Sequence, residues 1–252
     1  MTNQKIVQIA MEQSAIDAGC QAEDFCGIEN KVVLSQKHPK ARKNFAKLPF
    51  FCSLISYGNN VVASVEAPLI DAVTEYIVGL PFYRCFETPY LHQLTSILLP
   101  YNMEIGFTRE GFLPDINMLR PLPCTFPLKV LSPPAFSHLY TSPWNDNALC
   151  QNFSHLDVLA VGAYDGDQLI GLAGCSADCD TMWQIGIDVL PEYRRQGIAA
   201  ALTSTLAWEV LQRGKIPYYC RVWSNIPSAR NALRSGFYPA WVELSAKEKE
   251  NL

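Results

Sequence analysis

The run Ile185-Gly-Ile-Asp-Val-Leu-Pro-Glu-Tyr-Arg-Arg-Gln-Gly-Ile-Ala-Ala-Ala-Leu narrows the folds open to this chain more than any other segment. Its apolar alternation predicts a strand, Pro191 stops that strand, and helix-forming sequence begins around Gly197. A strand handed to a helix across so short a turn belongs to α/β architectures. The first turn of a helix leaves backbone N–H groups without intrahelical partners, and the helix dipole adds partial positive charge there. Such a start suits an anion, a pyrophosphate in particular. Glycine at 197 keeps a side chain out of the approach. Ala199 and Ala200 keep the next turn slim, and Arg194 and Arg195 add charge beside it.

Patterning around this segment predicts a mixed order. In the first half, residues 6–18 read as helix, 30–34 as strand, and 50–65 as two strands about the turn Gly58-Asn59-Asn60. Residues 67–78, with Pro68 in the first turn, and 90–99 read as helices, and 103–107 as strand. Residues 113–134 hold Pro114, Pro121, Pro123, Pro127, Pro133 and Pro134, a density that stops helices and reads as a connector with one edge strand. It predicts two domains, residues 1–122 and 123–252. Beyond it, 127–131 read as strand and 133–140 as a helix capped by Ser132. Strands over 158–164 and 169–175 flank the turn Asp165-Gly166-Asp167. A strand over 182–190 and an amphipathic helix over 195–213 follow, with Gly214 closing the helix. A strand over 217–223, a helix over 227–235 and a strand over 238–244 complete the order. The tail from Lys247 reads as a solvated end.

Lys plus Arg number 20 against 24 Asp plus Glu, a net charge of −4. This argues against nucleic acid or an anionic membrane as partner, since both need a basic footprint. No apolar stretch reaches the length of a membrane span. Nine cysteines, an odd number, with no leader-like apolar stretch near the start, read as reduced thiols in a cytoplasmic protein. Cys175 and Cys179 have the spacing of half a zinc site, but a second pair is missing, so no metal is expected.

Two motifs carry a family resemblance. Arg194-x-x-Gly197-x-Ala199 matches the Q/R-x-x-G-x-G/A signature of the GNAT superfamily of N-acetyltransferases. One helix and one strand later, Asn225-Ile-Pro-Ser228, running on to Gly236-Phe237, resembles that family's N-x-x-S/A…G-F segment. The resemblance spans residues 123–244. It implies a mixed sheet flanked by helices whose fourth and fifth strands splay apart to admit the pantetheine arm of acetyl-CoA. It further implies that the amides of Arg195, Gln196, Gly197, Ile198, Ala199 and Ala200 hold the pyrophosphate. Backbone groups of Ile187 and Val189 would pair with the arm, and Val189 N–H would face the oxyanion. Asn225 and Ser228 would meet the arm or its phosphate end, and Arg230 the 3′-phosphate.

The sequence departs from the family at Ala232, where many relatives carry a tyrosine that protonates the leaving thiolate. Tyr219 is taken as the acid in its place, with Tyr218, Tyr238 and Cys220 nearby. Asp188 is the candidate base for the incoming amine, its bland alternative being a polar residue on the strand's solvated face. Glu87 and Asp115 read either as acceptor-pocket residues or, more simply, as turn and capping residues beside proline. The expectation is an enzyme that moves acetyl from acetyl-CoA to an unidentified amine by direct transfer in a ternary complex. A non-catalytic acyl-CoA sensor, suggested by Ala232, is the alternative. The N-terminal α/β domain would wall the acceptor site or support a homodimer, and is open to reading as a diverged half of a tandem GNAT pair.

Overall fold

The computed structural model describes residues 1–43 and 48–249. The chain divides into two compact units, Val7–Gly111 with Ala240–Leu252, and Met1–Ile6 with Phe112–Pro239.

In the first unit helix α1 (Asn3–Ala18) is followed by strands β1 (Lys31–Leu34), β2 (Cys52–Ser56) and β3 (Val62–Val65). Helices α2 (Ile70–Ile77) and α3 (Thr88–Leu98) come next, then β4 (Met103–Pro114). β2 and β3 pair antiparallel about the predicted Gly58 turn, and β1 pairs parallel with β3. Pro68 lies in a 3-10 turn, Ala67–Leu69, so α2 starts later than the apolar spacing predicts. Leu54, Val65, Leu69, Val73, Ile77, Leu94 and Leu98 form its core and are fully buried.

The second unit holds β5 (Leu128–Leu131), α4 (Pro133–Phe136), β6 (Asp157–Asp165), β7 (Gln168–Ser176) and β8 (Met182–Val189). After them come α5 (Ile198–Gln212), β9 (Ile216–Val222), α6 (Ile226–Arg234) and β10 (Phe237–Glu248), which from Ala240 on lies in the first unit. There it pairs antiparallel with β2, Leu244 opposite Leu54. β5, β6, β7 and β8 form an antiparallel meander, and β9 joins β8 parallel. This is a mixed sheet flanked by helices, as the patterning and the resemblance imply.

Side chains alternate across a sheet, so each strand of the second unit serves two layers. Val161, Ala163, Ala173, Ile185 and Ile187 face α5, whose Ile198, Leu202, Leu206 and Val210 are at most 2% exposed. Burial of each such side chain contributes about 1.5–3 kcal/mol. Ala160 and Leu172 face the other way, against Phe136, Trp144, Ala148 and Leu149.

Some boundaries differ from the sequence reading. α4 stops after four residues because residues 137–144 turn tightly, with Leu139 N–H bonding Phe136 O and Thr141 N–H bonding Leu139 O. α5 starts at Ile198 rather than Arg195, since Arg195 and Gly197 have left-handed backbone, φ 64 and 83. The helix is also buried on most sides through its first half rather than amphipathic. The tail read as solvated is strand through Glu248, with Lys247 Nζ paired to Glu104 at 3.3 Å; its last three residues lie outside those described. No helix among the described residues is long and apolar enough to cross a membrane.

Candidate active site

β8 and β9 are in register only at Met182–Ile216, Trp183–Pro217 and Gln184–Tyr218. Past that point β8 keeps its ladder to β7, and β9 no longer pairs with it. Leu190 N–H bonds Ile170 O, and the register makes 190/170, 188/172 and 186/174 the hydrogen-bonded pairs of that ladder. The backbone groups of Ile185, Ile187 and Val189 therefore point away from β7, toward the side from which β9 has withdrawn. The opening is a cleft of about 830 Å³ lined by both strands, the start of α5 and α6.

The turn into α5 closes one end. Tyr193 is held by its hydroxyl, which donates to Asp165 Oδ2 at 2.9 Å, and by edge-on packing against Phe126. Arg194 Nε donates to Val189 O at 3.0 Å, fastening the turn to the end of β8. The first bond inside α5 runs from Ala201 N–H to Gly197 O. The amides of Ile198, Ala199 and Ala200 thus precede any intrahelical donor position. Gly197 needs its positive φ, and a Cβ placed on it would meet no atom within 4 Å, so the space before these amides is open. Arg194, Arg195, Gly197, Ile198, Ala199 and Ala200 line the cleft; the exposed Gln196 does not, its amide reaching Glu192 O at 3.5 Å.

α6 and β9 form the opposite wall. Asn225 caps α6, its Oδ1 accepting Ser228 N–H at 3.2 Å. Ser228 Oγ donates to the Tyr219 hydroxyl at 2.9 Å, leaving the phenolic proton to point elsewhere. Tyr219 is 4% exposed, and burial raises its pKa above the usual phenol value despite the hydrogen bond from Ser228. Arg230 lines the same wall, as does Arg234 one turn on. Sequence reasoning missed Arg234, although its spacing of four from Arg230 puts both on one helix face. Ala232 is fully buried in the core beneath α6 and does not line the cleft.

Asp188 points to the face opposite α5. Its carboxylate accepts Asn147 N–H at 2.9 Å, Asn147 Nδ2 at 2.7 Å and Ala148 N–H at 2.7 Å. The segment so held lies directly on the sheet. A Cβ on Gly186 would fall 1.8 Å from Asn147 O, and one on Gly174 2.0 Å from Ala148 O. Asp146 and Asn147 thereby join the cleft lining. No local sequence signal marks them, because 41 positions separate Asn147 from Asp188.

Asp115 does not line the cleft. Glu87 caps α3, its carbonyl accepting Tyr90 and Leu91 N–H, and Asp115 Oδ1 accepts Asn3 Nδ2 at 2.7 Å and Asn117 N–H at 2.9 Å. Tyr218 is buried on the face away from Tyr219; its hydroxyl donates to Asp178 and lies 3.1 Å from the side-chain amide of Gln184. Cys175 and Cys179 are buried free thiols. Among the described residues no group of three or more His, Cys, Asp or Glu is arranged to hold a metal.

The model of the acetyltransferase (GNAT) family matches residues 126–237. No curated protein matches the chain. Solved structures of similar fold include a GNAT-family protein from Novosphingobium aromaticivorans, 16% identical, covering 60% of this chain and 69% of its own, with a TM-score of 0.46. A GCN5-related N-acetyltransferase-like protein from Streptococcus suis is 18% identical over 64% and 69% of the two chains, TM-score 0.44. A GCN5-related N-acetyltransferase from Kribbella flavida is 15% identical over 63% and 64%, TM-score 0.47.

Proposed function

Residues 126–237 being an acetyltransferase domain of the GNAT family, we propose that the protein moves an acetyl group from acetyl-CoA to an amine, directly and within a ternary complex. The observation that carries this reading is the opening between β8 and β9, which leads from the amides at the start of α5 to the Tyr219 hydroxyl.

The residues present fit an acyl-CoA. Open space before Gly197, amides at a helix start and the cationic side chains of Arg194 and Arg195 suit a pyrophosphate. Arg230 and Arg234 stand on the same cleft and suit the 3′-phosphate. Ile187 N–H and C=O, turned away from β7, offer the pattern of a strand edge to the amides of the arm. Acetyl-CoA, when bound, supplies an activated thioester. Tyr219 keeps its proton because burial disfavours the phenolate, and can donate it to a leaving thiolate. Val189 N–H faces the cleft and can stabilise negative charge there, while Val189 O is held by Arg194. Asp188, with three N–H donors on its carboxylate, is suited to holding a loop rather than to removing a proton. The base role is therefore better given to water in the cleft.

The test is release of free thiol from acetyl-CoA with a panel of amines, beside calorimetric binding of CoA. Turnover with any amine supports the enzyme; tight binding without turnover favours the sensor, and no binding overturns both. Gly197→Glu puts bulk and negative charge where phosphates are expected, and should weaken CoA binding at least about thirtyfold, ~2 kcal/mol. Gly197→Ala shares the backbone strain of a positive φ, about 1 kcal/mol, without the charge. It should bind CoA far better than the Glu variant, and equal loss in both would refute the placement.

A further inference from the structure

On the reading of an acyl-CoA cleft, the charged side chains around it bear on the kind of amine it serves. The cleft lining carries charges of both signs: Arg194 and Arg195 at the turn into α5, Arg230 and Arg234 on α6, Arg221 on β9, and the acidic residues Asp146 and Asp188. Asp188 is engaged by the three N–H groups of Asn147 and Ala148. Asp146, the residue next to that clamp, is exposed at the cleft and enters none of the ion pairs found among the described residues.

Its position is tightly determined. The clamp from Asp188 and the bare backbone of Gly174 and Gly186 let residues 146–148 lie flat on β7 and β8. Any side chain at either glycine would lift the segment, since a Cβ there meets a backbone carbonyl at 2.0 Å or less. Asn147 O lies over Gly186 and Asn147 N–H bonds Asp188, so Asp146 joins the cleft beside the stretch of β8 between Gln184, where β8 and β9 part, and the turn into α5. A thioester reaching in from the α5 amides along β8 would meet its acceptor along that stretch.

We infer that Asp146 selects an acceptor bearing positive charge, a diamine or another polycationic amine, and that Asp188 is a positioning residue which holds Asp146 at the cleft. One ammonium group pairs with Asp146 while a second, deprotonated, amine is presented to the acyl group. An acceptor carrying carboxylates would be repelled at the same point.

The experiment is calorimetric binding of 1,4-diaminobutane and of glutamate to the full-length protein, with and without CoA, so that no turnover is needed. The diamine should bind and glutamate should not. Because the pair is solvent-exposed, Asp146→Asn should weaken the diamine about fivefold. Asp146→Lys should weaken it further, with CoA affinity in both variants within about twofold of the parent. Asp188→Asn, which sets an amide against Asn147 Nδ2, should weaken the diamine and speed hydrogen exchange at Ala148 N–H. Equal binding of glutamate, no binding of the diamine, or a change under twofold in Asp146→Lys would overturn the inference. CoA affinity is read separately, and its absence would count against the acyl-CoA reading instead.

Discussion

Tyr219 shows how one residue's surroundings define its chemistry. It is buried, it takes a hydrogen bond from Ser228, and its pKa lies above that of a free phenol, with burial as the leading cause. A group in that state is protonated throughout the neutral range, and ionisation of Tyr219 should place no alkaline limb on the rate below about pH 10. Tyr219→Phe keeps the ring and its packing against Phe237 but removes the proton. If Tyr219 is the acid, kcat should fall about a hundredfold with little change in KM for acetyl-CoA or in Tm. Unchanged kcat would show that Tyr219 is not the acid. Gly186 makes the opposite point, since what matters there is the absence of a side chain. A glycine in a strand reads from sequence as a weak spot or a bulge; only the carbonyl of Asn147 lying above it explains the choice.

Among the elements, β6 carries a titration of its own. Asp157, at its first residue, accepts the Tyr140 hydroxyl at 3.1 Å and Cys150 N–H at 3.2 Å, and burial pushes its pKa up to about 6. An aspartate whose folded pKa exceeds its unfolded value of about 3.9 favours folding while neutral. That contribution is complete below about pH 4 and is lost as pH rises through 6. Urea unfolding should therefore show the protein losing on the order of 1 kcal/mol between pH 4 and pH 7 relative to Asp157→Asn, which cannot ionise. Parallel curves for the two proteins would show that Asp157 is solvated. The start of α5 is an element-scale feature of another kind. Local sequence located it within three residues, because Gly197 and the alanines after it carry the signal themselves. The displacement to Ile198 follows from the left-handed backbone at Arg195, a conformation that non-glycine residues seldom adopt and that no residue preference announces.

At the scale of the molecule, a chain of net charge −4 gathers five arginines along one cleft, so its field is local rather than general. Ligand binding to the folded state alone raises stability by mass action, about 2.7 kcal/mol at a hundred times Kd, or roughly 5–10 °C in Tm for a chain of this size. CoA should produce that rise, dephospho-CoA a smaller one, and added salt should reduce both; equal shifts from the two ligands would remove Arg230 and Arg234 from the 3′-phosphate. What the sequence by itself determined is the order of the elements, the hairpin turns at Gly58 and Gly166 and the helix start built around Gly197. Each of these is set by neighbours a few positions apart, through hydrogen-bond spacing and allowed backbone angles. Tertiary structure alone decided that β9 parts from β8 after Gln184, that Asp188 holds Asn147 and Ala148, and that Ala240 onward pairs with β2. Those outcomes join residues about 35 to 190 positions apart, and alternation within a strand says which face a residue takes but not what comes to lie against it.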